Sequence, residues 1–204
     1  MTSAALVDRS DSTDISFEVE TTIPTKFGQF RVRGYRDNVT GAEHLALVTG
    51  PASPIALVRV HSECLTGEAL GSLKCDCGPQ LDAALALIAE TGGALIYLRG
   101  QEGRGIGLLA KLQAYRLQES GLDTLDANLA LGFPPDLRDY SAAAFILCDL
   151  GLTRVRLLTN NPDKVGQLAA WGIDVVAREP LWTEEQPANQ SYLKAKRERM
   201  GHLL

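Results

Sequence analysis

The chain has no basic excess: its formal net charge is −5 at pH 7. A protein that grips a nucleic-acid backbone normally carries a surplus of Lys and Arg, so general affinity for nucleic acid is not expected. A local basic pocket for one small anion stays open. No apolar run approaches the about 20 residues of a membrane helix, so no membrane association is expected. The N-terminus shows no charged leader followed by an apolar stretch, so no signal peptide is read and the expected location is the cytoplasm. There is no internal repeat, and no low-complexity segment beyond the first residues. Cysteine is scarce, four in 204 residues. A chain of this length buries a large core without disulfide staples.

Three of the four cysteines stand close together. Cys64, Cys75 and Cys77 are preceded by Arg59-Val60-His61-Ser62-Glu63. Cys75 and Cys77 are too near in sequence for an easy disulfide, and cytosolic thiols stay reduced. Gathered thiolates point to a soft metal, zinc first. Three ligands leave tetrahedral zinc one place short, as in catalytic sites; a structural site completed by His61 is the alternative. His61-x-Glu63 matches half of the zinc-deaminase signature, but Cys75-Asp76-Cys77 lacks the proline and the spacing of the other half. Cys148 sits in an apolar helical run, Ala142 to Leu150, and reads as a buried core thiol.

Along the chain, residues 1–14 are polar and aperiodic and are expected to form a disordered tail, leaving 15–204 as one domain. Strands are predicted over Ile15–Glu20, Gln29–Tyr35, His44–Thr49 and Ile55–Val60, with turns at Pro24, Gly28 and Gly41. A helix then follows from Pro79 to Thr91, spaced through Leu81, Leu85 and Ile88, and ends at Gly92-Gly93. Further on, the pattern predicts a buried strand Ala94–Leu98, a helix Leu108–Glu119, and a loop Gly121–Asp139. After that come a helix through Leu150, a strand Val155–Thr159, a helix Pro162–Ala170, a strand Ile173–Ala177 and a last helix Tyr192–Met200. Alternating helices and apolar strands predict an α/β fold, layered α/β/α, and the antiparallel-looking start makes the sheet mixed.

Three loops could carry chemistry. Gly100-Gln101-Glu102-Gly103-Arg104-Gly105-Ile106-Gly107 joins a strand to a helix. Glycines there let backbone N–H groups approach a phosphate, and Arg104 could pair with its oxygens; a tight turn is the plainer reading. It is not a Walker A loop, since no Gly-Lys-Ser/Thr follows. In Thr159-Asn160-Asn161-Pro162-Asp163-Lys164, Asn161 fits a helix N-cap and Pro162 the first helical position, which needs no ligand. Thr159 and Lys164 would nonetheless sit at the C-terminal edge of a strand, where α/β sheets bind ligands. Asp136 or Asp139, after Pro134-Pro135, could simply cap a helix. Tyr115 reads by composition as a core residue.

Taken in order, Arg59–Cys64, Lys74–Gly78, Gln101–Leu108, Leu131-Gly132-Phe133 with Asp136 and Arg138, and Leu157–Pro162 resemble GTP cyclohydrolase II. Tyr192-Leu193 and Met200–Leu204 add to the resemblance, which covers roughly residues 16–204. It implies a zinc enzyme of riboflavin biosynthesis that converts GTP to a diaminopyrimidine ribosyl phosphate, formate and pyrophosphate. Position by position it makes Cys64, Cys75 and Cys77 the zinc ligands. It places GTP on Arg59, Val60, His61, Ser62, Glu63, Gln80, Glu102, Gly103, Arg104, Thr124, Thr159 and Lys164. Asp136 corresponds to a proton acceptor, Arg138 to a nucleophile, and Tyr115 to a tyrosine tied to complete ring opening. An arginine keeps its proton up to a pH of about 12, so charge stabilisation at the α-phosphate is the other role open to Arg138. Mg²⁺ on the phosphates and a homodimer are also implied. The dihydroxybutanone phosphate synthase domain fused in some relatives is expected to be absent. The alternatives are a variant that stops at the formamidopyrimidine nucleotide and an inactive zinc-stabilised nucleotide-binding module.

Overall fold

Antiparallel and parallel strand pairing meet in one seven-stranded sheet. The computed structural model describes residues 14–51 and 53–203. The elements run β1 (Ile15–Thr25), β2 (Gly28–Asp37), β3 (Glu43–Thr49), β4 (Ala56–Ser62), α1 (Leu65–Glu68), α2 (Cys77–Thr91), β5 (Gly93–Leu98), α3 (Glu102–Gly105), α4 (Leu108–Glu119), α5 (Thr124–Ala130), α6 (Ser141–Asp149), β6 (Arg154–Leu158), α7 (Pro162–Ala170), β7 (Asp174–Glu179) and α8 (Gln190–Met200). Strand order is β1-β2-β3-β5-β4-β6-β7. The first four neighbours pair antiparallel, and β5, β4, β6 and β7 pair parallel. This is the mixed α/β sheet that the sequence pattern predicts.

Alternation along the strands fills two cores, one on each face. Ala56, Val58 and Val60 of β4, with Ala94, Ile96 and Leu98 of β5, pack against α6 and Leu168 of α7. Leu57 and Leu95 face the other way, onto Ala84 and Ile88 of α2. Arg59 and His61 share the α2 face with Leu57 by the same alternation. β4 is thus buried on both sides, as parallel central strands are. Gly92-Gly93 ends α2 as expected. A Cβ on Gly93 would lie 2.1 Å from the Leu57 carbonyl oxygen, so β5 can pair with β4 only with glycine there.

Two expectations change. The Gly121–Asp139 segment is not all loop, because α5 occupies Thr124–Ala130. Its Asp and Asn suit a loop, yet the Asp123 side chain accepts from Leu125 N at 2.8 Å and Asp126 N at 2.9 Å and so starts the helix. The Gly100–Gly107 segment contains the one-turn helix α3, with Gly103 and Arg104 in left-handed conformation. Of the expected tail, only Asp14 is described; residues 1–13 lie outside the described residues. No helix among the described residues is long and apolar enough to cross a membrane.

Candidate active site

The parallel strands β4, β5 and β6 end side by side, and the loops leaving them line one cleft. Its floor at one end is a set of thiols. The Sγ atoms of Cys64, Cys75 and Cys77 lie within 4.8 Å of one another, with Cys64 and Cys75 3.7 Å apart. Cys64 follows β4, and Cys77 opens α2. Glycine makes the convergence possible: a Cβ on Gly67 would lie 2.8 Å from Cys75 Sγ, and one on Gly78 would lie 2.5 Å from the Gly67 carbonyl oxygen. The donor set fits a soft divalent metal, since three sulfurs converge on one point and leave the cleft side open. Cys64 is the thiol held furthest toward thiolate, because Cys75 and Cys77 donate to it and the Lys111 charge faces it against the pull of burial. Cys75 and Cys77 are pushed up, first by their bonds to Cys64.

His61 does not join the thiols. Its Nε2 lies 2.9 Å from Glu68 Oε1, its Nδ1 lies 3.5 Å from an Arg59 nitrogen, and its ring stacks on Tyr97. Burial first, then the charges of Arg59 and Lys164, hold His61 well below the ordinary histidine range. Burial raises its partner Glu68 to about 7, and Tyr97 also donates to Glu68.

Beyond the thiols the cleft is cationic. Arg59, Arg104, Arg138, Lys164 and Lys196 line it, with Glu63 and Glu102 as its carboxylates. Arg59 donates to the Leu158 carbonyl at 3.0 Å and to Gln80 Oε1 at 2.8 Å, while its buried Nε has no partner. Burial lowers Arg59 to about 10. Lys164 donates to the Val60 carbonyl at 2.8 Å and lies 4.9 Å from the centre of the Tyr140 ring. Burial, then Arg59 and Arg138, push it well below the usual lysine range. His202 is held down to about 3 by burial and by Lys196. These cations disfavour one another when the cleft holds no anion, and a polyanion placed among them would relieve that repulsion.

The glycine loop meets the Asp136–Arg138 segment. Leu137 N donates to the Arg104 carbonyl at 3.0 Å, and a Cβ on Gly105 would lie 3.0 Å from Leu137 Cβ. Arg104 takes a left-handed conformation, rare for a residue with a side chain, at φ 68°. The N–H groups of Gly105 and Gly107 bond within the loop, to Gln101 and Glu102 carbonyls, so these two are not free for a phosphate as the glycine spacing suggests. Arg138 Nε reaches Asp136 Oδ1 at 2.9 Å and Oδ2 at 3.1 Å, and a second guanidinium nitrogen also bonds the carboxylate.

The structure brings nearly every expected residue to this cleft. Ser62 donates to Gln101, and Glu63 accepts from Gly100 N at 2.8 Å. Tyr115 belongs to neither core cluster; it is half-buried in the cleft with its hydroxyl 3.4 Å from Thr66 Oγ1. Thr124 and Thr159 also line the cleft. Two residues stand apart. Val60 points its side chain into the α6 core and offers the cleft only its carbonyl, through Lys164. Asp136 does not line the cleft and reaches it through Arg138. Cys148 packs against the larger core but is only partly buried, not the fully buried thiol expected, because it lies at the end of α6.

Sequence reading missed Lys111, Asp76, Lys196 and His202. Lys196 Nζ lies 2.7 Å from Asp76 Oδ1, and both side chains are buried. Asp76 stands between two thiol-bearing residues, and Gln80 donates to its other oxygen. Tyr192 and His202 also line the cleft, and Leu203 N donates to the Asn160 carbonyl at 2.9 Å. Lys111 lies one helical turn before Tyr115, on the same face of α4; that spacing was the available signal.

A family model for GTP cyclohydrolase II matches residues 16–180. The riboflavin biosynthesis protein RibBA of Bacillus velezensis (strain DSM 23117 / BGSC 10A6 / LMG 26770 / FZB42) is 56% identical over 197 residues, which is 95% of this chain and 49% of that protein. The protein of the same name from Salinispora arenicola (strain CNS-205) is 54% identical over 199 residues, 96% of this chain and 47% of that protein. The chain thus spans about half the length of the curated relatives it matches. Among solved structures, RibBX, a two-domain 3,4-dihydroxy-2-butanone 4-phosphate synthase from A. baumannii, is 23% identical, with a TM-score of 0.46 over 86% of this chain and 42% of that one.

Proposed function

The chain belongs to the GTP cyclohydrolase II family, and from that premise we propose that it hydrolyses GTP to a diaminopyrimidine ribosyl phosphate, formate and pyrophosphate, in the cytoplasm and as a homodimer. The observation that carries this reading is the joining of a three-thiol cluster and a set of buried cations in one cleft. A purine whose ring must be opened by water and a triphosphate that must be neutralised need those two features in one site.

Cys64, Cys75 and Cys77 would hold zinc, whose Lewis acidity makes water nucleophilic near neutral pH. Tyr115 stands beside the thiols and can donate from its phenol to the reacting purine. Arg59, Lys164 and Arg104 bind the phosphates, with Mg²⁺ accompanying them. Glu102 has both carboxylate oxygens engaged, so its contribution to a ligand comes through the backbone it orders next to Gly103. Ser62, Glu63, Gln80, Thr124 and Thr159 complete the proposed GTP contacts, and Asp136 fixes Arg138 near the α-phosphate.

Incubation with GTP and Mg²⁺, followed by assays for formate and pyrophosphate, tests the reading. Both products are expected, from protein carrying about one zinc per chain. The Cys75→Ser variant should lose the metal and formate release together. Formate from the metal-free variant would sink the catalytic-zinc reading. Pyrophosphate without formate from the unaltered protein would mean that the reaction stops at the formamidopyrimidine nucleotide, and neither product would leave an inactive nucleotide-binding module.

A further inference from the structure

Lys111 has a buried side chain whose ammonium meets three acceptors. Its Nζ lies 3.1 Å from Cys64 Sγ and 2.8 Å from Thr66 Oγ1, and it pairs with Glu102 Oε1. Those contacts use all three of its protons. The other Glu102 oxygen accepts from Leu65 N at 2.6 Å. Lys111 and Glu102 therefore hold Cys64 from two sides: the cation faces its sulfur and the anion grips the next peptide. The pair is neutral as a whole, so burying it is affordable, but it is oriented with its positive end toward the thiolate. Lys111 extends from α4, a three-turn helix, so the direction of that end is fixed by a rigid element.

We propose that Lys111 is a positioning residue of the metal centre, donating an N–H···S hydrogen bond that orients the Cys64 thiolate and draws electron density from it. This rests on the reading that the three cysteines hold a metal. A thiolate that accepts a hydrogen bond is a weaker electron donor, which leaves the metal more electrophilic toward water, and a fixed sulfur direction removes an ordering cost from metal binding. The lysine touches no reacting atom; it acts through Cys64.

The test uses the full chain loaded with cobalt(II), whose thiolate charge-transfer absorption reports on sulfur donor strength. Metal affinity is measured by competition with a chromophoric chelator. Lys111→Met should weaken affinity roughly 10–100-fold, the usual loss for a partner of a metal ligand, and move the charge-transfer band to lower energy. That variant also strands the Glu102 carboxylate, so Glu102→Gln/Lys111→Met is the deciding comparison: it removes both charges and keeps the buried site neutral. The double variant is expected to stay weak and red-shifted. Recovery of the unaltered protein's affinity and spectrum by the double variant would assign the loss to the stranded carboxylate and overturn the proposal. An unshifted band in Lys111→Met would overturn it as well. Failure of the unaltered protein to take up cobalt would instead remove the metal reading on which the proposal stands, before any variant is compared.

Discussion

Arg138 and Asp136 are locked together two residues apart, and that pairing bears on which of two roles the arginine takes. A covalent role needs a guanidinium nitrogen with a free lone pair to displace pyrophosphate. Burial works against the Arg138 charge, yet the bond to Asp136 outweighs it and holds the proton more firmly than usual. Charge stabilisation at the α-phosphate is therefore expected to be the larger contribution. Arg138→Lys should retain more pyrophosphate release than Arg138→Ala, although lysine lacks the fork that matches Asp136. Rapid quenching with α-labelled GTP should leave no label on the protein; a labelled species that forms and decays at the turnover rate would establish the covalent route. At this scale the residues that gather in the cleft were largely legible, because chemistry that needs particular side chains leaves them in short, ordered blocks. Lys111 and Asp76 were not legible. Their partners are distant in sequence, and a lone Lys or Asp on a helix face or in a turn reads as solvated until the fold shows it buried.

Among the elements, the strands and long helices followed from period and from glycine punctuation, and α7 begins where Asn161 and Pro162 placed it. α5 escaped because its cap and its composition are those of a loop. Asp123 accepts two backbone bonds at its start and also pairs with Arg199 of α8. Asp123→Ala should cost about 1 kcal/mol, the usual loss of a helix cap, which lowers the melting temperature by roughly 2–4 °C in a chain of this size. Because Thr124 and the buried Asn128 enter the cleft from α5, the same variant should raise KM for GTP more than it lowers kcat. A fall in kcat with KM unchanged would place α5 in the chemistry rather than in binding.

The whole molecule is acidic, yet Arg59, Arg104, Arg138, Lys164 and Lys196 line one cleft at the C-terminal edge of the parallel strands, while β1, β2 and β3 extend the sheet away from it. The sheet was expected and a local basic pocket was left open; the part played by α8 was not foreseen, since its pattern shows only a helix charged on one side. That helix lies beyond the span that the family model matches, yet Lys196 carries it to Asp76, whose neighbours on either side bear two of the three clustered thiols. An opening of the Cys75–Cys77 turn would strand a buried ammonium and carboxylate together, so the turn and the helix should loosen as a unit. Hydrogen–deuterium exchange makes this visible without any substrate. Stripping the metal with a chelator should speed amide exchange across α8 while α6, in the large core, keeps its protection. Exchange in α8 that ignores the chelator would mean that the two are only neighbours. If it responds, the last helix serves as a gauge of whether the centre is loaded, read some 120 residues away along the chain.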